Sequence, residues 1–339
     1  MMYQSPYDFW APYNPSPYYQ ADCDKREIRR LSNRLNWMLL ACILLMAGLM
    51  VTLEALSTLV VRPNAAWSSF NGLNPVLYYL IDGIGYLVGI ALPVLIYFAA
   101  SHIPLEIGLP FHKTGFLKTV SCVFFGSAVC MLANIPASMV ADLEKHFGFS
   151  GELPAMPLND NPWVLAFYGV GIVIIPPLVE EMLFRGMLLQ SLRRYGDGFA
   201  VFASALAFGL YHGNFIQMVF AFPCGIVMGL VAVRTNSLLP SILIHFLNNG
   251  TAFAVEMISR YKGGTVANQA DSMVSSVLIG LGILGAAYLL WKDRNFFHTA
   301  PSSSPLRLSS KLGAFFLNFG GIATIVYALV TSIYSLKRF

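Results

Sequence analysis

Charged residues are scarce in this chain of 339 residues: Asp, Glu, Lys and Arg make up 11% of it, whereas 56% is hydrophobic. A soluble domain contains about 25% charged residues, so the composition excludes an ordinary soluble protein and predicts several membrane spans. The formal net charge is +4. An excess of Lys and Arg in cytoplasmic loops gives this sign, so we expect a lipid bilayer and no nucleic acid as partner.

Cysteine is also scarce, and its spacing argues against a disulfide scaffold. There is no CxxC pair, and the spacing is not that of a small secreted domain. Most of the five cysteines lie in apolar runs, so we predict that they are small buried side chains. They are Cys23, Cys42, Cys122, Cys130 and Cys224. No cleavable signal peptide is visible before the first apolar run.

Long apolar runs predict an all-α polytopic transmembrane protein with eight or nine spans. The eight clear runs lie at about residues 37–61, 77–100, 116–140, 162–194, 199–212, 217–233, 239–258 and 274–291. Residues 312–335 form the ninth candidate, which is the least certain of the set.

Basic clusters predict the orientation of these spans. Clusters at residues 25–34, 113–118, 193–194, 234 and 292–311 fall on one side of the membrane if the spans alternate. The positive-inside rule places this side, and the N-terminus, in the cytoplasm. Arg260 and Lys262 fall on the other side, in mild conflict with the rule. In a bacterium the membrane would be the plasma membrane.

The most unusual stretch is Pro176–Arg185, in which two adjacent carboxylates and an arginine interrupt an apolar run. Ionisable groups at bilayer depth cost roughly 2.5–3.5 kcal/mol each on insertion scales, so they rarely persist without a use. Pro176 and Pro177, just before Glu180 and Glu181, are expected to interrupt the helix and to free backbone carbonyls. Such breaks are tolerated where the backbone lines a cavity. The stretch therefore predicts the floor of a polar cavity in the membrane.

Two histidines within or at the ends of apolar spans follow this stretch. If the turn at residues 195–198 joins spans four and five as a hairpin centred near residue 196, Glu180 and His212 lie equally far from that centre. At about 1.5 Å per residue, both are then at the same depth, roughly 24 Å from the turn. His245 and Asn249 are four residues apart on span seven, so they share one face.

The spacing also separates the roles of the two carboxylates. Glu181 and Arg185 are four residues apart and suit an ion pair, whereas Glu180 is turned about 100° away and is left free. A poorly solvated carboxylate can serve as a general base, and a neighbouring histidine can hold a water molecule. A second histidine and an asparagine amide can donate hydrogen bonds to an oxyanion. Together these groups are what hydrolysis of an amide bond requires.

Three motifs in this order resemble those of the CPBP intramembrane proteases, which include the type II CAAX prenyl endopeptidases and bacterial bacteriocin-processing and immunity proteins. The resemblance covers about residues 164–255, and nothing outside this range is diagnostic. The motifs are Glu180-Glu181-x-x-x-Arg185, Phe208-x-x-x-His212 and His245-x-x-x-Asn249.

The resemblance implies an intramembrane endopeptidase acting on a membrane-associated protein or peptide, which is prenylated or bacteriocin-like in the family. It implies that Glu180 activates water and that His212 assists it. His245 and Asn249 would form the oxyanion site. The supporting residues would be Glu181 and Arg185.

With this resemblance the chain divides into four segments. Residues 1–35 are expected to be a disordered Tyr- and Pro-rich tail and a basic juxtamembrane segment, and residues 36–160 the N-terminal transmembrane helices. The catalytic core is expected at residues 161–260, followed by C-terminal helices and a basic loop at 261–339. In that last segment, Gly280, Gly282 and Gly285 are expected to pack against another helix.

A catalytic metal is an alternative to this mechanism. One glutamate and two histidines can be three ligands of a zinc ion, and here they would be Glu180, His212 and His245. There is no HExxH motif, however, and a glutamate that ligates metal is lost as a base. The resemblance to prenyl proteases favours a metal-independent mechanism, so no cofactor is predicted, with a divalent metal such as zinc as the alternative.

Two other functions compete with proteolysis. The first is a non-catalytic membrane binding or immunity factor that uses the same cavity to hold a peptide or lipid. The second is a transporter in which Glu180 and the histidines relay protons. A transporter favours internal repeats, and the sequence contains no second copy of the Glu-Glu motif.

Overall fold

The structure is a computed structural model that describes residues 17–60, 63–152, 156–299, 302 and 304–338. The helices are α1 (Pro17–Val60), α2 (Pro75–Ala100), α3 (Leu105–Gly108), α4 (Phe116–His146), α5 (Pro162–Gly169), α6 (Ile175–Glu181), α7 (Leu189–Leu192), α8 (Asp197–Tyr211), α9 (Phe215–Thr235), α10 (Leu239–Lys262), α11 (Gly264–Lys292), α12 (Leu308–Phe316) and α13 (Phe319–Ser335). Short 3₁₀ helices lie at Ala65–Phe70 and Arg193–Tyr195, and two short strands, β1 (Phe149–Ser150) and β2 (Lys337–Arg338), pair antiparallel.

The all-α polytopic membrane fold is confirmed, but the predicted number of spans is too high. Within the described residues, six helices are long and apolar enough to cross a membrane, or seven if the bent pair α12–α13 counts as one span. Two predicted spans are missing from this set. The helix α8 has only 15 residues, fewer than the roughly 20 that a bilayer requires, and α10 carries His245, Asn248 and Asn249 within its apolar run. Two of the predicted site residues, His245 and Asn249, lie on α10, and a third, His212, directly follows α8.

The N-terminal helix is longer than the predicted first span. The basic segment at residues 24–34 is the first part of α1, which runs without a break for 44 residues. Disorder was predicted to about residue 21, and the helix already begins at Pro17. The rest of the predicted disorder, at residues 1–16, lies outside the described residues.

The helix that carries the Glu-Glu motif runs without a gap from Pro162 to Tyr195, but α-helical and π-helical segments alternate along it between residues 162 and 192. We call this irregular helix the broken helix. Two π-helical stretches, Val170–Ile174 and Met182–Leu188, lie on either side of α6. Pro176 and Pro177 are in the first turn of α6 and have no N–H to continue the ladder of hydrogen bonds. The regular hydrogen bonding is therefore interrupted at the proline pair as expected, while the helix itself continues, and π-helical turns of this kind are common at functional sites.

Small residues bring α11 close to α4. A side-chain carbon added at Gly282 would lie 2.2 Å from Ala128 Cβ, and one at Gly285 would lie 2.6 Å from the Ser121 carbonyl oxygen. Gly280 has nothing within 4 Å of the same position. The predicted packing role is thus confirmed for two of the three glycines.

The predicted burial of the cysteine side chains is confirmed for all but one of them. Four are buried and all five are free thiols. Cys23 is only partly buried, because it lies on the part of α1 that precedes the apolar run. The prediction of a buried side chain is wrong for this residue.

Candidate active site

A cavity of about 500 Å³ lies among the broken helix, α4, α8, α9, α10 and the start of α11. Four of the predicted site residues line it, although they are separated by up to 69 positions in the sequence: Glu180, His212, His245 and Asn249. The wall also includes Cys130, Asn134, Gln217, Asn248 and Asp271. Helices far apart in the chain therefore gather polar side chains in one place.

Glu181 and Arg185 lie beside this cavity and form the expected ion pair. The Arg185 Nη1 atom is 2.8 Å from Glu181 Oε1, and both side chains are fully buried. A second guanidinium nitrogen donates to the Gly225 carbonyl at 3.3 Å. The guanidinium also lies over the ring of Phe208, 4.5 Å from its centre. The pair thus ties the broken helix to α8 and α9.

His245 lies between the two carboxylates. Its Nδ1 atom is 3.1 Å from Glu181 Oε1, and its Nε2 atom is 3.8 Å from Glu180 Oε2. The first distance is that of a hydrogen bond and the second is too long for one. The carboxylate of Glu181 is paired with Arg185 and accepts, so Nδ1 carries the hydrogen of this bond. Glu181 therefore fixes the ring and turns Nε2 toward Glu180.

Glu180 has a partner that the sequence did not reveal. The hydroxyl of Tyr86 on α2 donates a hydrogen bond to Glu180 Oε1. The other oxygen, Oε2, is buried and has no hydrogen-bond partner in the described part of the protein. The carboxylate predicted to be free is therefore anchored through one oxygen only. The only sequence sign of Tyr86 is a phenol in an apolar run, and tyrosine is common in such runs.

The ring of Phe208 packs against the rings of both site histidines. Its ring lies 4.9 Å from that of His212 and 5.9 Å from that of His245, both in edge-to-face geometry. His212 Nδ1 also lies 2.8 Å from the Phe208 carbonyl oxygen. A carbonyl only accepts, so Nδ1 bears the hydrogen and Nε2 of a neutral ring is left as an acceptor.

Asn249 is held by a carbonyl that the proline pair frees. Its Nδ2 atom donates to the Ile172 carbonyl at 3.0 Å, and its Oδ1 atom accepts from Asn248 Nδ2 at 3.2 Å. The residue four positions after Ile172 is Pro176, which has no N–H to offer. The interruption of the helix thus supplies the acceptor that orients the amide, and one amide hydrogen of Asn249 is left for another partner.

The described side chains do not form a three-ligand metal site in their present arrangement. In the described part of the chain, no three His, Cys, Asp or Glu residues are grouped closely enough to hold one. The bonds at His245 Nδ1 and Glu180 Oε1 leave His245 Nε2 and Glu180 Oε2 facing each other at 3.8 Å, and His212 does not complete a group of three ligands with them. A zinc ion bound by Glu180, His212 and His245 would require these side chains to move.

Comparison with known families supports the motif reading. Residues 162–251 match the family model described as type II CAAX prenyl endopeptidase Rce1-like. The match confirms the predicted resemblance, and it supports an intramembrane endopeptidase with a peptide substrate at the level of the family. The matched segment includes all six predicted site residues and excludes Tyr86. No curated protein and no solved structure matches the chain.

Proposed function

We propose that this protein hydrolyses a peptide bond of a membrane-associated protein or peptide with a water molecule activated by Glu180. The observation that carries the proposal is the difference between the two adjacent carboxylates. Glu181 is neutralised by Arg185 and is not among the residues that line the cavity, whereas Glu180 lines the cavity and accepts a hydrogen bond from the neutral hydroxyl of Tyr86. A carboxylate that is hydrogen-bonded by a neutral hydroxyl in a poorly solvated site suits a general base.

The reaction needs no covalent intermediate. Glu180 Oε2 takes a proton from water while the water oxygen bonds to the carbonyl carbon of the substrate. The tetrahedral intermediate then collapses, the C–N bond breaks, and Glu180 returns the proton to the leaving amine. In this scheme His212 Nε2 accepts the second hydrogen of the water molecule and so orients it.

Asn249 and His245 supply the oxyanion donors. The bond to the Ile172 carbonyl fixes the amide of Asn249, which lines the cavity, and leaves one amide hydrogen for the oxyanion. His245 already donates from Nδ1 to Glu181, so Nε2 donates to an oxyanion only when the ring is protonated at both nitrogens. Donors fixed in advance in a site of low dielectric stabilise the developing charge.

The mechanism that we propose does not require a metal ion. The substrate is a membrane-associated protein or peptide. Prenylated proteins and bacteriocin precursors are the two substrate groups that the resemblance suggests. Both groups are membrane-associated, and a substrate must be so to reach a cavity that apolar helices enclose.

The experiment is cleavage of a library of membrane-associated peptides by purified wild-type protein and Glu180→Gln, each with and without a chelator. We expect Glu180→Gln to lower kcat by about 10²–10⁴-fold, the typical contribution of a general base, and the chelator to have no effect. Glu256→Gln is the matched control, because Glu256 also accepts a hydrogen bond from a tyrosine, Tyr168, at 2.7 Å but does not line the cavity.

Three results would contradict the proposal. Full activity of Glu180→Gln would remove the general base. Loss of activity with chelator that one metal restores would replace the metal-independent mechanism. A folded wild-type protein that cleaves no member of the library would favour the binding or immunity factor.

A further inference from the structure

Tyr86 reaches the candidate base from outside the segment that matches the family model. It lies in the middle of α2, more than 70 positions before residue 162, where that segment begins. Its hydroxyl donates to Glu180 Oε1, although Tyr86 is not among the residues that line the cavity. The side chain therefore contacts Glu180 from behind and leaves the cavity side of the carboxylate open.

This contact makes the two oxygens of Glu180 different. Oε1 accepts the tyrosine proton, whereas Oε2 has no hydrogen-bond partner in the described residues and lies 3.8 Å from His245 Nε2. A carboxylate bonded at neither oxygen is free to turn about its last side-chain bond and exchange them. With Oε1 held, Oε2 is the oxygen directed at the reaction.

The donors that bond to Glu181 and Glu180 also differ in charge. Glu181 is held by the Arg185 guanidinium, a cation that neutralises it. Glu180 is held by a phenol, which is neutral. A neutral donor fixes the geometry of a carboxylate while leaving its negative charge available for a proton. Glu180 and Glu181 are thus each bonded through Oε1. The partner of Glu181 neutralises its charge, whereas the partner of Glu180 leaves its charge available.

We propose that Tyr86 is the positioning residue of Glu180, orienting its carboxylate so that Oε2 acts as the base. The inference rests on the proposed function of Glu180. It extends the site to α2, which the three motifs do not include. Because a misplacement of about 1 Å at a reacting group costs up to about 100-fold in rate, Tyr86→Phe should lower kcat by about 10- to 100-fold and leave KM within about twofold.

Tyr97→Phe is the matched control. Tyr97 lies on the same helix, and its hydroxyl bonds to Ser191 Oγ at 2.9 Å, so it also joins α2 to the broken helix. Ser191 is far from Glu180 along that helix. If Tyr86 only joins the two helices, both variants will lose a similar amount of thermal stability and keep the same kcat. That result would overturn the inference.

A second measurement separates this inference from the proposed function. The infrared band of the Glu180 carboxyl group is assigned as the one lost in Glu180→Gln, and it is recorded for both tyrosine variants in lipid. We expect a shift in Tyr86→Phe and none in Tyr97→Phe, whether or not a substrate is found. An unshifted band in Tyr86→Phe overturns the positioning role. A shifted band with full activity in Glu180→Gln instead overturns the proposed function: Tyr86 then bonds to Glu180, but the contact has no part in the reaction.

Discussion

Two neighbouring glutamates show how residues of one type take different roles. Successive side chains on a helix point about 100° apart, so Glu181 faces Arg185 and His245 while Glu180 faces the cavity. The four-residue spacing predicted the ion pair, because both partners lie on one local stretch of helix. The bond from Tyr86 was not predicted, because no local spacing relates residue 86 to residue 180.

Glu181→Gln should destabilise the protein, in contrast to Glu180→Gln. It leaves the buried Arg185 charge without its partner, which costs about 3–5 kcal/mol. Thermal unfolding in detergent should show a clear drop in Tm for Glu181→Gln and a small change for Glu180→Gln. Glu181→Gln that is as stable as wild type but inactive would show that the two roles are exchanged.

At the scale of elements, the broken helix is the feature that builds the site. The proline pair predicted an interruption and freed carbonyls, and the Ile172 carbonyl accepts from Asn249. The sequence did not indicate which side chain would use the freed carbonyl, since α10 approaches only in the folded protein. Nor did it indicate two π-helical stretches rather than one kink.

The contact between α11 and α4 gives a prediction at this scale. Gly282→Ala places a methyl group 2.2 Å from Ala128 Cβ, so the helices must separate. Overpacking of this kind costs typically about 1–3 kcal/mol, which should appear as a lower Tm. Gly280→Ala is the control, because nothing lies within 4 Å of its added carbon. Equal Tm values for the two variants would contradict the close packing of α11 on α4.

At the scale of the whole molecule, side-chain contacts bring the basic clusters of the described residues to one face. Arg194 lies 3.9 Å from Glu27 on α1, Lys118 donates to the Arg234 carbonyl, and Arg234 is paired with Asp293.

The two residues that conflicted with the positive-inside rule lie at the other end of α10, and Arg260 is paired there with Asp160 at 2.9 Å. Lys145 is likewise paired with Glu152 at 3.0 Å. Pairing with acidic residues offsets positive charge on the face that we expect to be external.

A labelling experiment tests this orientation. In a chain with Cys23→Ser, Lys25→Cys and Glu152→Cys each place a thiol on an exposed position at opposite ends of the molecule. With a membrane-impermeant maleimide on intact cells, we expect labelling of Glu152→Cys, and labelling of Lys25→Cys only after permeabilisation. The reverse pattern would place the N-terminus outside. The parent chain with Cys23→Ser controls for labelling of the four buried cysteines.

Local patterns in the chain were enough to predict the helical membrane class, the interruption at the proline pair and the ion pair. The four predicted residues that line the cavity came instead from the matched depth of Glu180 and His212 across the turn at residues 195–198 and from the resemblance of the three motifs. The features predicted from local patterns have a common basis. These features depend on hydrophobicity and on spacings of three or four residues, which act over one or two helical turns.

The rotation of α2 that brings Tyr86 to Glu180, the contact of the Phe208 ring with both site histidines and the capture of the Ile172 carbonyl depended on packing. They were decided by the tertiary structure, because such contacts join helices whose relative orientation no short stretch of sequence encodes.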